Sequence, residues 1–152
     1  MKNRNLPAGD DWKTPDSLYD ELNKEFHFTF DPCPLNNAIN ICGCLFFKYF
    51  NGLEVKWEVS NFINPPYNRI AKEAFIRKAY NESLKGKLCI MLLPVSTSTK
   101  IFHEIILPHA EIRFLKGRVK FEGVNTKGEF VNNKCGMHDS MICIFRGKIK
   151  ND

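Results

Sequence analysis

The chain has 152 residues, of which 43% are hydrophobic and 26% charged, close to globular averages and within the length of one ordinary domain. These figures exclude a disordered, collagen-like or coiled-coil chain and predict a single domain over 1–152. Lys and Arg (22) outnumber Asp and Glu (17) for a net charge of +5, which permits a polyanionic partner without requiring one.

In chain order, Thr14-Pro15 reads as a helix start with Thr14 as the cap, and Leu18 and Leu22 then share a face, predicting a helix over Asp16 to Lys24. Phe26, Phe28 and Phe30 alternate with His27 and Thr29, the period of a strand that breaks at Asp31-Pro32-Cys33-Pro34. The run Leu45 to Phe50 fits a strand or a short buried helix, and Asn51-Gly52 turns the chain. Val59 to Ile63 predicts a short strand leading into Asn64-Pro65-Pro66-Tyr67, where two prolines prevent helix and ladder alike. Ile70, Ala71, Ala74, Phe75 and Ala79 then form the apolar side of an amphipathic helix. Leu88 to Leu93 is a continuous apolar run, the mark of a strand buried on both faces. A helix over Thr99 to Leu107 follows, then strands at Glu111 to Leu115, Arg118 to Phe121 and Met141 to Phe145. The polar stretch Glu122 to Asp139 reads as a long connection with a functional reason to exist. Alternating strands and helices predict an α/β sandwich whose ligand loops sit at the carboxyl ends of parallel strands.

No run reaches the roughly 20 apolar residues of a membrane span, and Met1 to Gly9 carry no apolar signal core, so a cytoplasmic protein is expected. Cys33, Cys42 and Cys44 lack the paired spacing and fourth partner of a zinc site. They and the remaining cysteines read as reduced, buried thiols, with no metal. The four histidines stand apart from any nucleophile in the sequence and read as structural or surface residues.

Asn64 to Tyr67 combine a rigid backbone, one amide and one aromatic. An exocyclic amine on a heteroaromatic ring is a poor nucleophile because its lone pair is delocalised into the ring. The Asn64 side-chain oxygen and the Pro65 carbonyl can accept both amine hydrogens while Tyr67 stacks on the ring and holds the nitrogen toward an electrophile. The other reading of these residues is a rigid strand-to-helix connection with Asn64 capping the next helix.

The Asn-Pro-Pro-Tyr sequence resembles the catalytic motif of amino-methyltransferases that use S-adenosylmethionine. Further matches resemble the small phage-type DNA N6-adenine methyltransferases, the phage Dam family. They are Asp11 to Pro15, Phe28 to Cys33, Leu53 with Trp57, Phe62 to Tyr67, Leu92-Leu93-Pro94 with Thr97 and Phe102, Gly117-Arg118 with Phe121, and Ser140-Met141, together spanning nearly the whole chain. The resemblance implies a compact Rossmann-like methyltransferase fold, a mostly parallel sheet with helices on both faces. It implies adenine methylation of DNA, protecting phage or mobile-element DNA from restriction. Methyltransferases of RNA adenine or protein glutamine, and a nucleic-acid-binding module without turnover, remain alternatives. The implied S-adenosylmethionine site comprises Trp12, Thr14, Pro15, Asp31, Pro32, Cys33 and Leu53, with Asp31 on the methionine ammonium. Asn64, Pro65, Pro66 and Tyr67 are the implied catalytic segment. No Gly-x-Gly loop follows the first strand, a departure that the phage-type family shares, and the acidic residue the family carries near Asn51 is an amide here. Between Arg113 and Phe121, Arg113, Lys116, Arg118 and Lys120 interleave with aromatics, which suits phosphate contact and stacking. Lys116, Arg118 and Lys120 are the nucleic-acid candidates.

Overall fold

A computed structural model of the chain describes residues 13–33, 52–66, 68–124, 129–135 and 138–146. The expected elements around Leu45 to Phe50, and Cys42, Cys44, Trp12 and Tyr67, lie outside the described residues.

Helix α1 runs Asp16–Phe26 and buries Tyr19, Leu22 and Phe26 at helical spacing. Its N-cap is Pro15, which makes no side-chain hydrogen bond. Thr14 therefore lies one residue too early to cap the helix, contrary to expectation, and its hydroxyl is used elsewhere. The helix stops where His27 adopts a left-handed φ of 51° and its N–H donates to the Asn23 carbonyl, while the Asn23 side-chain oxygen accepts from the Phe28 N–H at 2.8 Å. This turn replaces the start of the strand expected over Phe26 to Phe30: Phe26 belongs to the helix, and Phe30 alone forms a bridge, parallel to Asn61.

Four strands lie side by side in the order β1 (Ser60–Ile63), β2 (Leu88–Pro94), β6 (Ser140–Phe145) and β3 (Glu111–Phe114). β1 and β2 pair in parallel, while β6 is antiparallel to both β2 and β3. The sheet is thus mixed, and the expected mostly parallel pairing holds for one of three ladders. The reason is β6, which is inserted in the reverse sense. β1, β2 and β3 share one direction, so their carboxyl ends gather at one edge of the sheet.

Side-chain alternation divides the core in two. Phe62, Ile90, Leu92, Ile142 and Ile144 pack with Tyr19, Leu22 and Phe26 of α1, and Ile63, Met91, Leu93, Met141 and Cys143 pack on the opposite face with Phe75, Ile76 and Ala79 of α2 (Arg69–Leu84). Each such side chain contributes roughly 1.5–3 kcal/mol by leaving water, so these two layers hold the sheet edge in place. α2 turns its apolar side differently from the expected one: Ile70 is 84% exposed, and the helix ends before Gly86, whose φ of 91° suits a residue without Cβ.

The helix expected over Thr99 to Leu107 is π-wound at Phe102–Ile106 and ends α-helically at Leu107–His109. The Leu107 N–H reaches back five residues to Phe102, and Pro108 has no N–H with which to continue regular winding. β4 (Lys120–Val124) and β5 (Phe130–Cys135) form a two-stranded antiparallel ribbon. The long polar connection therefore contains strand structure, and the strand expected from Arg118 begins at Lys120.

Candidate active site

β1 ends at Ile63, opposite Met91 of β2, and the backbone then leaves the sheet at Asn64. Asn64 and Pro66 are half-buried and Pro65 is buried. The Asn64 side-chain nitrogen donates to the Thr14 hydroxyl at 3.2 Å, across 50 residues of sequence. Helix α2 is capped by Asn68, whose side chain accepts from the Ala71 N–H at 2.9 Å. That bond supplies the cap offered as the bland role of Asn64, and Asn64 is left at the sheet edge with its amide donor directed at Thr14.

Thr14 is 8% exposed and sits in an extended strap. Its neighbour Lys13 pairs with Glu122 of β4 through two backbone bonds, Lys13 N–H to Glu122 at 2.7 Å and Glu122 N–H to Lys13 at 3.1 Å. Ion pairs from Lys13 to Asp16 and Glu122 reinforce the junction. The strap therefore joins the foot of the ribbon to Asn64.

Asp31 follows Phe30, whose carbonyl accepts from the Phe62 N–H at 3.0 Å, so the Asp31 loop and the Asn64 loop leave the same sheet edge side by side. The Asp31 carboxylate accepts from the Cys33 N–H at 2.8 Å. Burial pushes its pKa up to about 7, with the Cys33 hydrogen bond opposing. Among the described residues no cationic side chain forms an ion pair with it. Buried Pro32 lies against Gly52: a Cβ at Gly52 would come within 2.0 Å of the Pro32 carbonyl oxygen, so only glycine permits this approach. The Gly52 carbonyl accepts from the buried Trp57 indole at 2.7 Å. Leu53 and Cys33, both half-buried, pack against the same core layer. The fold therefore brings Asp31, Pro32 and Cys33 together with Leu53, and Thr14 together with Asn64.

The basic turn leaves β3 at the same edge. Lys116, Arg118 and Lys120 are exposed, and Val119 and Phe121 on either side of Lys120 are buried in the core layer that holds α1. Arg118 reaches the Asp139 carboxylate at 3.5 Å in an exposed pair. Arg113, the remaining cation of that cluster, donates to both carboxylate oxygens of Glu25 at 2.7 and 2.8 Å and to Glu111 at 3.0 Å, which holds it in a surface network away from a phosphate. Among the described residues, no group of three or more His, Cys, Asp or Glu side chains is placed to hold a metal, and no helix is long and apolar enough to cross a membrane.

Sequence reasoning missed Glu122, Asn68 and Gly52. Asn68 carries a legible signal, an Asn immediately before an amphipathic run, whereas Glu122 joins Lys13 through backbone bonds and one long ion pair and leaves none.

The sequence profile of one family, described as DNA N-6-adenine-methyltransferase (Dam), matches residues 2–151. No curated protein and no solved structure matches the chain.

Proposed function

The chain belongs to the DNA N-6-adenine-methyltransferase (Dam) family and is a DNA adenine methyltransferase, and on that premise we propose that its chemistry takes place at the sheet edge where Asn64, Thr14 and Asp31 meet. S-adenosylmethionine is the general methyl donor of such enzymes, and when bound it supplies a sulfonium methyl as electrophile. A half-buried carboxyl without a cationic partner among the described residues, just past the bridge of Phe30 to β1, fits a primary ammonium group. Asp31 would hold that ammonium, and Trp12, Thr14, Pro15, Pro32, Cys33 and Leu53 would supply the rest of the cofactor site. The strand directions, with one reversed strand before the last, suit a Rossmann-like methyltransferase sheet in a single domain.

The target adenine is flipped from the duplex into this edge. The Asn64 side-chain oxygen and the Pro65 carbonyl accept the two N6 hydrogens, which localises the nitrogen lone pair, and Tyr67 stacks on the ring. Pro65 and Pro66 fix the backbone beforehand, so little reorganisation accompanies the reaction. Lys116, Arg118 and Lys120, exposed at the same edge, contact DNA phosphates. Protection of phage or mobile-element DNA in the host cytoplasm is the setting that fits the resemblance to phage-type enzymes.

The observation that carries this reading is the 3.2 Å bond from Asn64 to Thr14, with helix capping done by Asn68. Labelled methyl transfer offered in parallel to unmethylated DNA, RNA and a protein extract tests it. Label entering DNA alone, as N6-methyladenine, is the expected result, and label entering RNA or protein in preference to DNA would overturn it.

A further inference from the structure

We propose that Phe114 is a DNA wedge, whose ring enters the base stack and occupies the place that the target adenine leaves when it is flipped out. The inference rests on the reading that DNA lies along the carboxyl edge of the sheet, and deepens it. Taking a base out of a duplex leaves a gap between its neighbours, and an apolar side chain set into that gap offsets part of the lost stacking.

Phe114 is the last residue of β3, the outermost strand of the sheet. It stands opposite Met141, which in turn stands opposite Leu93. Met141 and Leu93 are each 1% exposed, whereas Phe114 is 64% exposed, so its ring projects at the edge without contributing to the core. Among the described residues it is the one exposed Phe, Tyr or Trp ring, and the other large apolar side chains left exposed, Val59, Ile70, Leu84 and Leu107, are aliphatic. Phe121, the second aromatic of the same basic segment, is buried in the core layer that holds α1, so of the two only Phe114 can reach a ligand. Arg113 before it is tied to Glu25 and Glu111, which anchors the strand end. Exposed Lys116 and Arg118 follow in a turn where Gly117 has a φ of 75°. A lone exposed apolar residue needs no explanation, but a ring beside two cations, at the edge from which the Asn64 loop also leaves, suits a stack of bases between phosphates. In the order of the sheet, β3 is three strand spacings from β1, about 14 Å in all. Phe114 thus lies outside a pocket formed at Asn64 and meets the duplex, not the flipped base.

Single-turnover methyl transfer at saturating DNA and S-adenosylmethionine is measured on two substrates for the parent, Phe114→Ala, Phe114→Gln and Phe114→Tyr. One is a duplex carrying an adenine that sequencing shows the parent to methylate, and the other is the same duplex with an abasic position opposite that adenine. An adenine without a partner costs less to flip, so a wedge matters less to it. Phe114→Ala and Phe114→Gln are expected to slow transfer roughly tenfold on the paired duplex, as loss of one base–aromatic contact does. On the abasic duplex both stay within about twofold of the parent. Phe114→Tyr, which keeps the ring, retains most of the paired-duplex rate. The slope of log affinity against log salt stays at the parent value in all three, because no phosphate contact is lost.

A paired-duplex rate equal to the parent rate in Phe114→Ala, an equal loss on both duplexes, or a Tyr variant as slow as the Ala variant would each overturn the proposal. If Phe114→Ala fails to fold, Phe114→Gln decides by the same comparison of duplexes. A parent that leaves DNA unmethylated, or salt slopes unchanged in Lys116→Ala and Lys120→Ala, would instead overturn the reading of where the DNA lies.

Discussion

Asn61 and Asn64 stand three residues apart, one inside β1 and one just past its end, and they do different things with the same side chain. Asn61 is 0% exposed. Its oxygen accepts from the Glu58 N–H at 3.0 Å, and its nitrogen donates to the Glu58 and Leu88 carbonyls at 2.8 and 3.1 Å and approaches the Cys89 thiol at 3.8 Å. Both ends of that amide are spent on stitching β1 to its approach and to β2. Asn64 lies beyond the last ladder pair, half-buried, with its donor end fixed by a side chain from the strap. Residue type is shared, and position relative to the end of the ladder separates an amide spent within the sheet from one placed at the sheet edge.

Substitution separates the two. On the role proposed for Asn64, Asn64→Ala removes an acceptor for the adenine amine and should lower methyl transfer by about 10²–10³, the cost of losing one preorganised contact, while the melting temperature and cofactor affinity stay close to the parent values. Asn61→Ala leaves the Glu58 N–H and two carbonyls without their buried partner and should cost roughly 2–3 kcal/mol of stability, a fall of about 5–10 °C by calorimetry. In whatever fraction remains folded, transfer per folded molecule should persist. If Asn61→Ala abolished transfer in fully folded protein, or Asn64→Ala unfolded the chain, the contrast would be wrong.

Asp31 sharpens the same contrast through pH. Its pKa, raised to about 7 by burial, means that the free protein holds a neutral carboxyl below that pH, and binding an ammonium group must expel the proton. Cofactor affinity should therefore fall about tenfold per pH unit below roughly 7 in the parent. Asp31→Asn should bind weakly at every pH, with no such slope. The raised value also acts on stability: the neutral form is favoured in the fold, so stability from this group is complete at acid pH and declines as pH rises from about 4 through 7. Asp31→Asn without cofactor should thus melt above the parent at pH 8 and level with it at pH 4. A parallel pH dependence of the two proteins would make Asp31 a structural residue.

The smallest effects belong to the basic turn. Lys116→Ala and Lys120→Ala should each weaken DNA binding on every sequence alike and flatten the plot of log affinity against log salt by about one unit. Slopes equal to the parent slope would put the DNA elsewhere.

The parts of the fold that were legible in the sequence are those where burial imposes a pattern. β2 and β6 are unbroken apolar runs, each expected close to its true limits, whereas α2 is legible as a helix but not in its end at Leu84 or in the exposure of Ile70. Strand direction was not legible, because an apolar run such as Met141 to Phe145 is the same pattern in either sense, and it is β6 that makes two ladders antiparallel. Of the ribbon, β4 overlaps the strand expected over Arg118 to Phe121, whereas β5 was not legible because Asn132, Asn133 and Lys134 show no apolar alternation. Phe26 was misassigned because the period-2 aromatics continue through a left-handed turn at His27 that allows a helix to end among them. At the site, the Asn64 segment and the Asp31 loop stood out by composition. The Thr14 to Asn64 bond joins residues whose sequence neighbourhoods share no signal, and only the folded strap brings them within 3.2 Å.

The most direct test of the account is nucleoside analysis by mass spectrometry of DNA from a methylation-free host expressing either the parent protein or folded Asn64→Ala at equal level. The account predicts N6-methyl-2′-deoxyadenosine from the parent and about 10²–10³ less from the variant in a time-limited induction. Equal methyladenine from both proteins, or a methyl group on a base other than adenine, would contradict it.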